Sequence, residues 1–226
     1  LKKIIYDITP FTTVDYKDYL SCIAWFISCN MRCLYCYNPN IVNSKSGEYT
    51  IEDLIDFLKK RVGLLDAVVL SGGEATNHNL VDICNLIKEL GYKIKLDTNG
   101  FNPKMVEKLI SFDLIDYIAL DYKAPVYKFK EITKTTFNEK FFDTLDLLVD
   151  KNFAFEVRTT VHSNLLNEND INKIILDLKN REYQGIYYLQ KYLHVDDTLG
   201  FTNEATNIFD KTLLFKDLIP IEFRNY

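Results

Sequence analysis

At 226 residues, with 47% apolar and 26% charged side chains, the chain has the size and composition of one ordinary soluble domain with a substantial core. A formal charge of −5 and a pI near 5.3 argue against nucleic acid as a partner, and the longest apolar runs fall short of a membrane span. There is no signal-peptide pattern after Leu1, and five cysteines are too few for a disulfide framework, so reduced thiols in the cytoplasm are expected.

Residues 4–8 predict a short strand that Pro10 ends. The polar stretch from Thr12 to Tyr19 reads as a turn into a strand over 21–27. A loop follows, Cys29-Asn-Met-Arg-Cys33-Leu-Tyr-Cys36, in which three cysteines stand at C-x3-C-x2-C. Asn38-Pro39-Asn40 closes it as a turn, and 44–47 reads as loop. Thr50 caps a helix, with Asp53 at the capping-box position and Ile51, Leu54, Ile55 and Leu58 forming its apolar face. Ala67–Leu70 is a short apolar run bounded by glycines, a buried strand. The helix expected over 79–90 places Cys84 among Leu80, Ile83, Ile87 and Leu90, which makes it a core residue, and Gly91 caps it. Strand 92–97, a helix opening at Asn102-Pro103, strand 115–121, helix 138–150, strand 153–161, helix 168–180 and strand 185–190 continue the alternation. Residues 203–216 have a helical pattern, and 218–223 read as a final strand or an extended tail. From residue 21, six strands thus alternate with five helices, which implies right-handed crossovers and a parallel sheet. Six repeats are two short of a closed eightfold barrel, and periodicity does not exclude a doubly wound sheet. Either arrangement puts the chemistry at the carboxyl ends of the strands.

Three thiolates so close in sequence can wrap one metal centre without long loop closure. On a four-iron cube they leave one iron open to a substrate, as an open position does on a catalytic metal. A structural zinc site with Cys22 as fourth ligand competes, although Cys22 lies in an apolar run and reads as a small buried hydrophobe. The two-cluster ferredoxin pattern is absent. Gly72 and Gly73, directly after the 67–70 strand, permit a ligand to approach the backbone closely, while Glu74 taken alone would be a solvated turn residue. Asp97-Thr98-Asn99-Gly100 and Ala119-Leu120-Asp121-Tyr122-Lys123 end the next two strands, and their Asp and Lys taken alone are a surface pair. In the 153–161 strand, alternation sets Val157, Thr159 and Val161 on one face and Arg158, Thr160 and His162 on the other. Arg158 suits a carboxylate partner. His162 reads as a strand-end histidine bonded to backbone, and His78 and His194 carry no motif.

The cysteine spacing, with Tyr35 just before the last cysteine, resembles the cluster motif of the radical S-adenosylmethionine (SAM) enzymes. Gly72-Gly73-Glu74 is similar to their Gly-Gly-Glu motif, with Ala75 where proline is usual. Residues 96–103, 115–125 and 155–162 resemble the activating proteins of anaerobic ribonucleoside-triphosphate reductases, a group of glycyl-radical-enzyme activases. Two positions depart from that group: Ser28 stands where glycine often precedes the first cysteine, and Tyr37 where histidine often follows the third.

The resemblance implies an α/β fold, a partial (β/α)6 TIM-like barrel open on one side. It implies one radical SAM domain over 1–226, with its core at about 21–192 and a C-terminal extension at 193–226. It further implies a [4Fe–4S] cluster on Cys29, Cys33 and Cys36. SAM would lie beside Gly72 and Gly73, with its amino group at Glu74 and its carboxylate at Lys123. Thr98, Asn99, Arg158 and Gln190 would complete the cofactor site. A sodium or potassium ion would be held by Asp97, Thr98, Asp121 and the carbonyl of Ala119. The implied reaction is reductive cleavage of SAM to a 5′-deoxyadenosyl radical, which takes hydrogen from a glycine of an anaerobic ribonucleotide reductase. A flavodoxin- or ferredoxin-type protein would supply the electron. The alternatives are radical chemistry on a small molecule, such as 7-carboxy-7-deazaguanine synthesis, and a zinc or electron-carrying module without catalysis.

Overall fold

Eight strands form one open sheet in sequence order, β1 to β8, in a computed structural model that describes residues 2–195, 197–200 and 204–226. The chain divides into two compact units, Leu1–Asn30 with Asn40–Ala119, and Met31–Pro39 with Leu120–Tyr226.

The first unit holds β1 (Ile5–Thr12), β2 (Ser21–Phe26), α2 (Ile51–Lys59), β3 (Ala67–Gly72), α3 (Leu80–Glu89), β4 (Lys93–Thr98) and α4 (Pro103–Ser111). Strands β2, β3 and β4 pair in parallel, which the intervening helices require. Thr50 and Asp53 form a reciprocal capping box, and Leu54, Ile55 and Leu58 are buried at helical spacing. Gly91, at φ +87°, ends the α3 turn by donating its N–H to the Lys88 carbonyl. Asn102 caps α4 by accepting from the Met105 N–H, with Pro103 in the first turn. Cys22 and Cys84 are fully buried, and burial pushes each thiol up to about 12. Both are core residues.

Two local expectations fail here. Pro10 does not end β1, which runs on to Thr12; it is an edge strand, antiparallel to β2, with an irregular register between Thr9 and Thr12, and an edge tolerates a missing N–H. Pro39 does not sit in a turn but opens the five-residue helix α1 (Pro39–Asn43), since a first-turn residue needs no N–H.

β5 (Tyr117–Asp121) runs across the boundary of the two units. The second unit continues with α5 (Val126–Thr133), α6 (Lys140–Asp150), β6 (Phe155–Val161), α7 (Glu168–Asn180), β7 (Tyr187–Lys191) and β8 (Ile221–Arg224). β6, β7 and β8 pair in parallel, so the segment at 218–223 is resolved as a strand. Arg224 on β8 makes a two-pronged ion pair with the buried Glu156 and covers the Tyr188 ring at 3.5 Å. The helix α5 carried no sequence expectation, although Phe129 and Ile132 are spaced for it and are buried.

The expected helix over 203–216 is absent from residues 204–216, residue 203 lying outside the described residues; only a 3-10 turn at Lys211–Leu213 forms there. The reason is a set of competing side-chain acceptors. Asn164 Oδ1 takes the N–H groups of Thr206 and Asn207, and Glu168 takes that of Asp210.

Candidate active site

In the first unit the residues that matter gather between Cys29 and the ends of β3 and β4. A Cβ on Gly73 would lie 1.8 Å from the Ser28 carbonyl oxygen, and one on Gly72 would lie 2.5 Å from the N and O atoms of Phe26. The space these glycines leave is therefore filled by the chain's own backbone leading into the cysteine loop. Gly73 N–H donates to the Phe26 carbonyl, and Glu74 N–H to that of Ser28 at 2.8 Å. The space expected to admit a ligand is taken up by the loop's own backbone.

Ser28 sits at φ +69°. This left-handed conformation explains why glycine suits the position, and a serine there costs about 1 kcal/mol. Ser28→Gly is expected to raise the stability of the metal-free protein by about 0.5 to 1 kcal/mol, part of the gain being lost to glycine's greater freedom when unfolded. An unchanged or lower melting temperature would contradict this.

Glu74 is 2% exposed. Its carboxylate accepts from the Thr76 N–H and hydroxyl, from Thr98 Oγ1 at 2.7 Å and from the Asn99 N–H at 2.8 Å. Burial raises its pKa, opposed by these hydrogen bonds. These four donors are neutral, so among the described residues the buried carboxylate has no cationic partner to offset its desolvation. Asn99 turns the other way: its side-chain amide donates to Asn30 Oδ1 at 2.7 Å and lies 4.0 Å from Cys29 Sγ. Asp97 accepts from Ser71 Oγ, and the buried ammonium of Lys95 stands 3.6 Å from it. The sequence reading overlooked Lys95 and Thr76. Lys95 was legible, because residues two apart on a strand share a face. Ala119 is fully buried on β5.

In the second unit Cys33 is buried, with its thiol pushed up to about 11 by burial, and Cys36 is half-buried. Tyr35 is buried beside them and its hydroxyl donates to the Lys123 carbonyl. Asp121 lies between two cations, Arg158 Nε at 2.5 Å and Lys123 Nζ at 2.9 Å. Burial alone would raise its carboxyl, but Arg158 and Lys123 outweigh that and hold it at about 2. Its contribution to stability is therefore complete above its ordinary value of 3.8 and is lost only as the pH falls through about 2. Lys123 is raised correspondingly, against desolvation, by Asp121. Gln190 is half-buried on β7. His162 is buried, accepts from the Asn164 N–H at 3.4 Å and packs on Tyr192, the backbone-bonded histidine expected. His194 stands edge-on to the same tyrosine, 6.5 Å between ring centres. In the first unit His78 Nε2 donates to the Ile27 carbonyl at 2.9 Å, two residues before Cys29.

Residues 25–178 match the sequence profile of the radical SAM superfamily. The chain belongs to that superfamily. Its relatives are narrower in name. A Methanocaldococcus jannaschii protein named for glycyl-radical enzyme activation is 33% identical over 202 residues, covering 85% of this chain and 81% of its own. The pyruvate formate-lyase 1-activating enzyme of Escherichia coli K12 is 29% identical over 149 residues, 62% of this chain and 60% of that one. Streptococcus suis SuiB bound to S-adenosylmethionine superposes with a TM-score of 0.66 at 15% identity, over 88% of this chain and 48% of SuiB. At that identity the likeness establishes the fold, an open α/β partial barrel. The chain spans about half the length of the first solved structures it matches.

The superfamily implies a [4Fe–4S] cluster and SAM. The residue types present fit both: Cys29, Cys33 and Cys36, none of them in a disulfide, have the chemistry of iron–sulfur ligands, and Glu74 offers a buried carboxylate suited to an ammonium group. Among the described residues no three His, Cys, Asp or Glu side chains are gathered around a single metal-ion position.

Proposed function

We propose that this protein cleaves SAM at a [4Fe–4S] cluster on Cys29, Cys33 and Cys36 and installs a glycyl radical on a partner enzyme, an anaerobic ribonucleotide reductase. The observation that carries the reading is Glu74, a buried carboxylate whose donors among the described residues are neutral, packed by way of Gly73 and Asn99 against the start of the cysteine loop. The Methanocaldococcus relative supports the activase part. When bound, the cluster supplies the electron that breaks SAM and yields the 5′-deoxyadenosyl radical.

The chain's own residues bind and orient. Glu74 takes the amino group of SAM, with Gly72 and Gly73 fixing its backbone. Lys123 serves the carboxylate, and Thr98, Asn99, Arg158 and Gln190 complete the cofactor contacts. Cytoplasmic conditions and a flavodoxin- or ferredoxin-type reductant belong to the same proposal. A sodium or potassium ion at Asp97, Thr98, Asp121 and the Ala119 carbonyl is a further part, in which the ion would share Asp121 with Arg158. Removing both alkali ions, or replacing Asp121 by alanine, is then expected to slow SAM cleavage about tenfold or more. Turnover indifferent to both changes would remove the ion from the proposal.

The test of the whole reading mixes the reduced, reconstituted protein with SAM and the reductase of the same cell, without oxygen. A glycyl doublet is expected in the electron paramagnetic resonance spectrum of the partner, and it should vanish when the partner's C-terminal glycine is replaced. SAM cleavage without a doublet on any glycyl-radical enzyme of that cell would transfer the assignment to a small-molecule substrate.

A further inference from the structure

The second half of the cysteine loop, Arg32 to Tyr37, is bonded along both sides within its own unit. On one side stands the end of α5. Lys134 adopts a left-handed conformation and stops that helix, leaving the carbonyls of Ile132 and Thr133 in the last turn to accept from the N–H groups of Leu34 and Arg32, at 2.9 and 2.8 Å. On the other side stands the segment just after β7. Leu199 N–H donates to the Cys36 carbonyl at 3.1 Å and Gly200 N–H to the Leu34 carbonyl at 2.9 Å. Leu193 N–H donates to the Tyr37 hydroxyl at 2.8 Å, and the Tyr37 ring stacks on Tyr192.

Each contact has a residue requirement. A Cβ on Gly200 would lie 2.6 Å from Leu34 Cα, so only glycine lets the segment reach the loop. Tyr37 is the departure from the resembled activases at that position, and it places a hydroxyl where the Leu193 N–H needs an acceptor. Thr198, between the two ends, is 1% exposed. Cys36 itself donates its N–H to the Cys33 carbonyl and accepts from Leu199, so both of its backbone groups are fixed, the second of them by this segment.

We propose that residues 192–195 and 197–200 form a strap that positions Cys36, with Tyr37 and Gly200 as positioning residues for the third cluster ligand. This assigns a role to the start of the C-terminal extension, and it rests on the reading of Cys36 as a ligand. Ligand placement and strap order are then linked: holding Cys36 on iron fixes the carbonyl that Leu199 uses, and loss of the strap frees that ligand to leave. Tyr37 and Gly200 are not among the residues assigned to SAM, so their effect should appear in metal retention.

The experiment uses the full chain, metal-free and anaerobically reconstituted, as wild type, Tyr37→Phe and Gly200→Ala. Hydrogen exchange at the Leu199 and Gly200 amides is expected to slow about tenfold on cluster loading in the wild type. Both variants should lose iron to a chelator about tenfold faster than wild type. A strap with a purely structural role would lower the melting temperature in the variants and leave iron loss and the exchange response unchanged, and that result overturns the proposal. If Gly200→Ala does not fold, Tyr37→Phe, which removes one oxygen atom, decides the matter. A wild-type chain that takes up no iron overturns the ligand reading and the strap together, whereas iron uptake without any glycyl radical leaves the strap standing and removes only the partner.

Discussion

Alanine at Cys33 is expected to abolish SAM cleavage, and alanine at Cys29 or Cys36 to do the same. A four-iron cube held by three thiolates has no spare protein ligand, so losing one leaves two attachment points and a second open iron. The two remaining cysteines cannot substitute. Cys22 lies within β2 and Cys84 within α3, each fully buried among core side chains, whereas Cys29, Cys33 and Cys36 stand within one eight-residue loop. Cys22→Ala and Cys84→Ala are expected to cost about 1 kcal/mol of stability each and to leave iron content and turnover intact. Iron and sulfide analysis, with assay of 5′-deoxyadenosine, separates the two groups. Full cluster content in Cys33→Ala would refute the assignment, and so would a colourless protein that carries zinc.

The other large effect is expected from a single methyl group. Gly73→Ala puts a Cβ 1.8 Å from the Ser28 carbonyl oxygen and 3.3 Å from the Cys29 nitrogen. Both neighbours are backbone, which cannot swing aside as a side-chain tip can. Relief requires moving the loop off β3, with loss of the Glu74 N–H bond to Ser28. A stability loss of about 3 kcal/mol is expected from this overpacking. A displacement of about 1 Å at Cys29 and Glu74 is expected to lower SAM cleavage by about a hundredfold or more. Gly63→Ala is the control: its φ of +79° gives comparable or greater backbone strain, yet its Cβ would meet nothing within 4 Å, so about 1 kcal/mol and normal activity are expected. A Gly73→Ala protein with wild-type melting temperature and iron content would show that the loop does not rest on this glycine.

The alternation of strands and helices was legible because each element satisfies its own short-range rule. Thr50 with Asp53, Asn102 with Pro103 and Gly91 state helix ends within a few residues, and the four buried residues at Ala67–Leu70 state a strand. The family was legible for a similar reason, since three cysteines within eight residues form a local pattern. Elements whose limits depend on a neighbour were misread. Pro10 ends a strand only where both sides must bond, and its strand turned out to be an edge. Residues 204–216 have a helical pattern, but Asn164 and Glu168 take the N–H groups that a helix would use.

By itself, then, the sequence determined the α/β alternation, the superfamily and the candidate ligands, all of them properties of spacing along the chain. Only the tertiary structure decided what Gly72 and Gly73 accommodate, which cations hold Asp121 ionised, and why position 28 favours glycine. It alone connected α5 and the strap after β7 to Cys36. The physical reason is separation: Leu34 and Gly200, or Asp121 and Arg158, are remote in sequence, and hydrogen bonds and ion pairs act only across the few ångströms that folding creates.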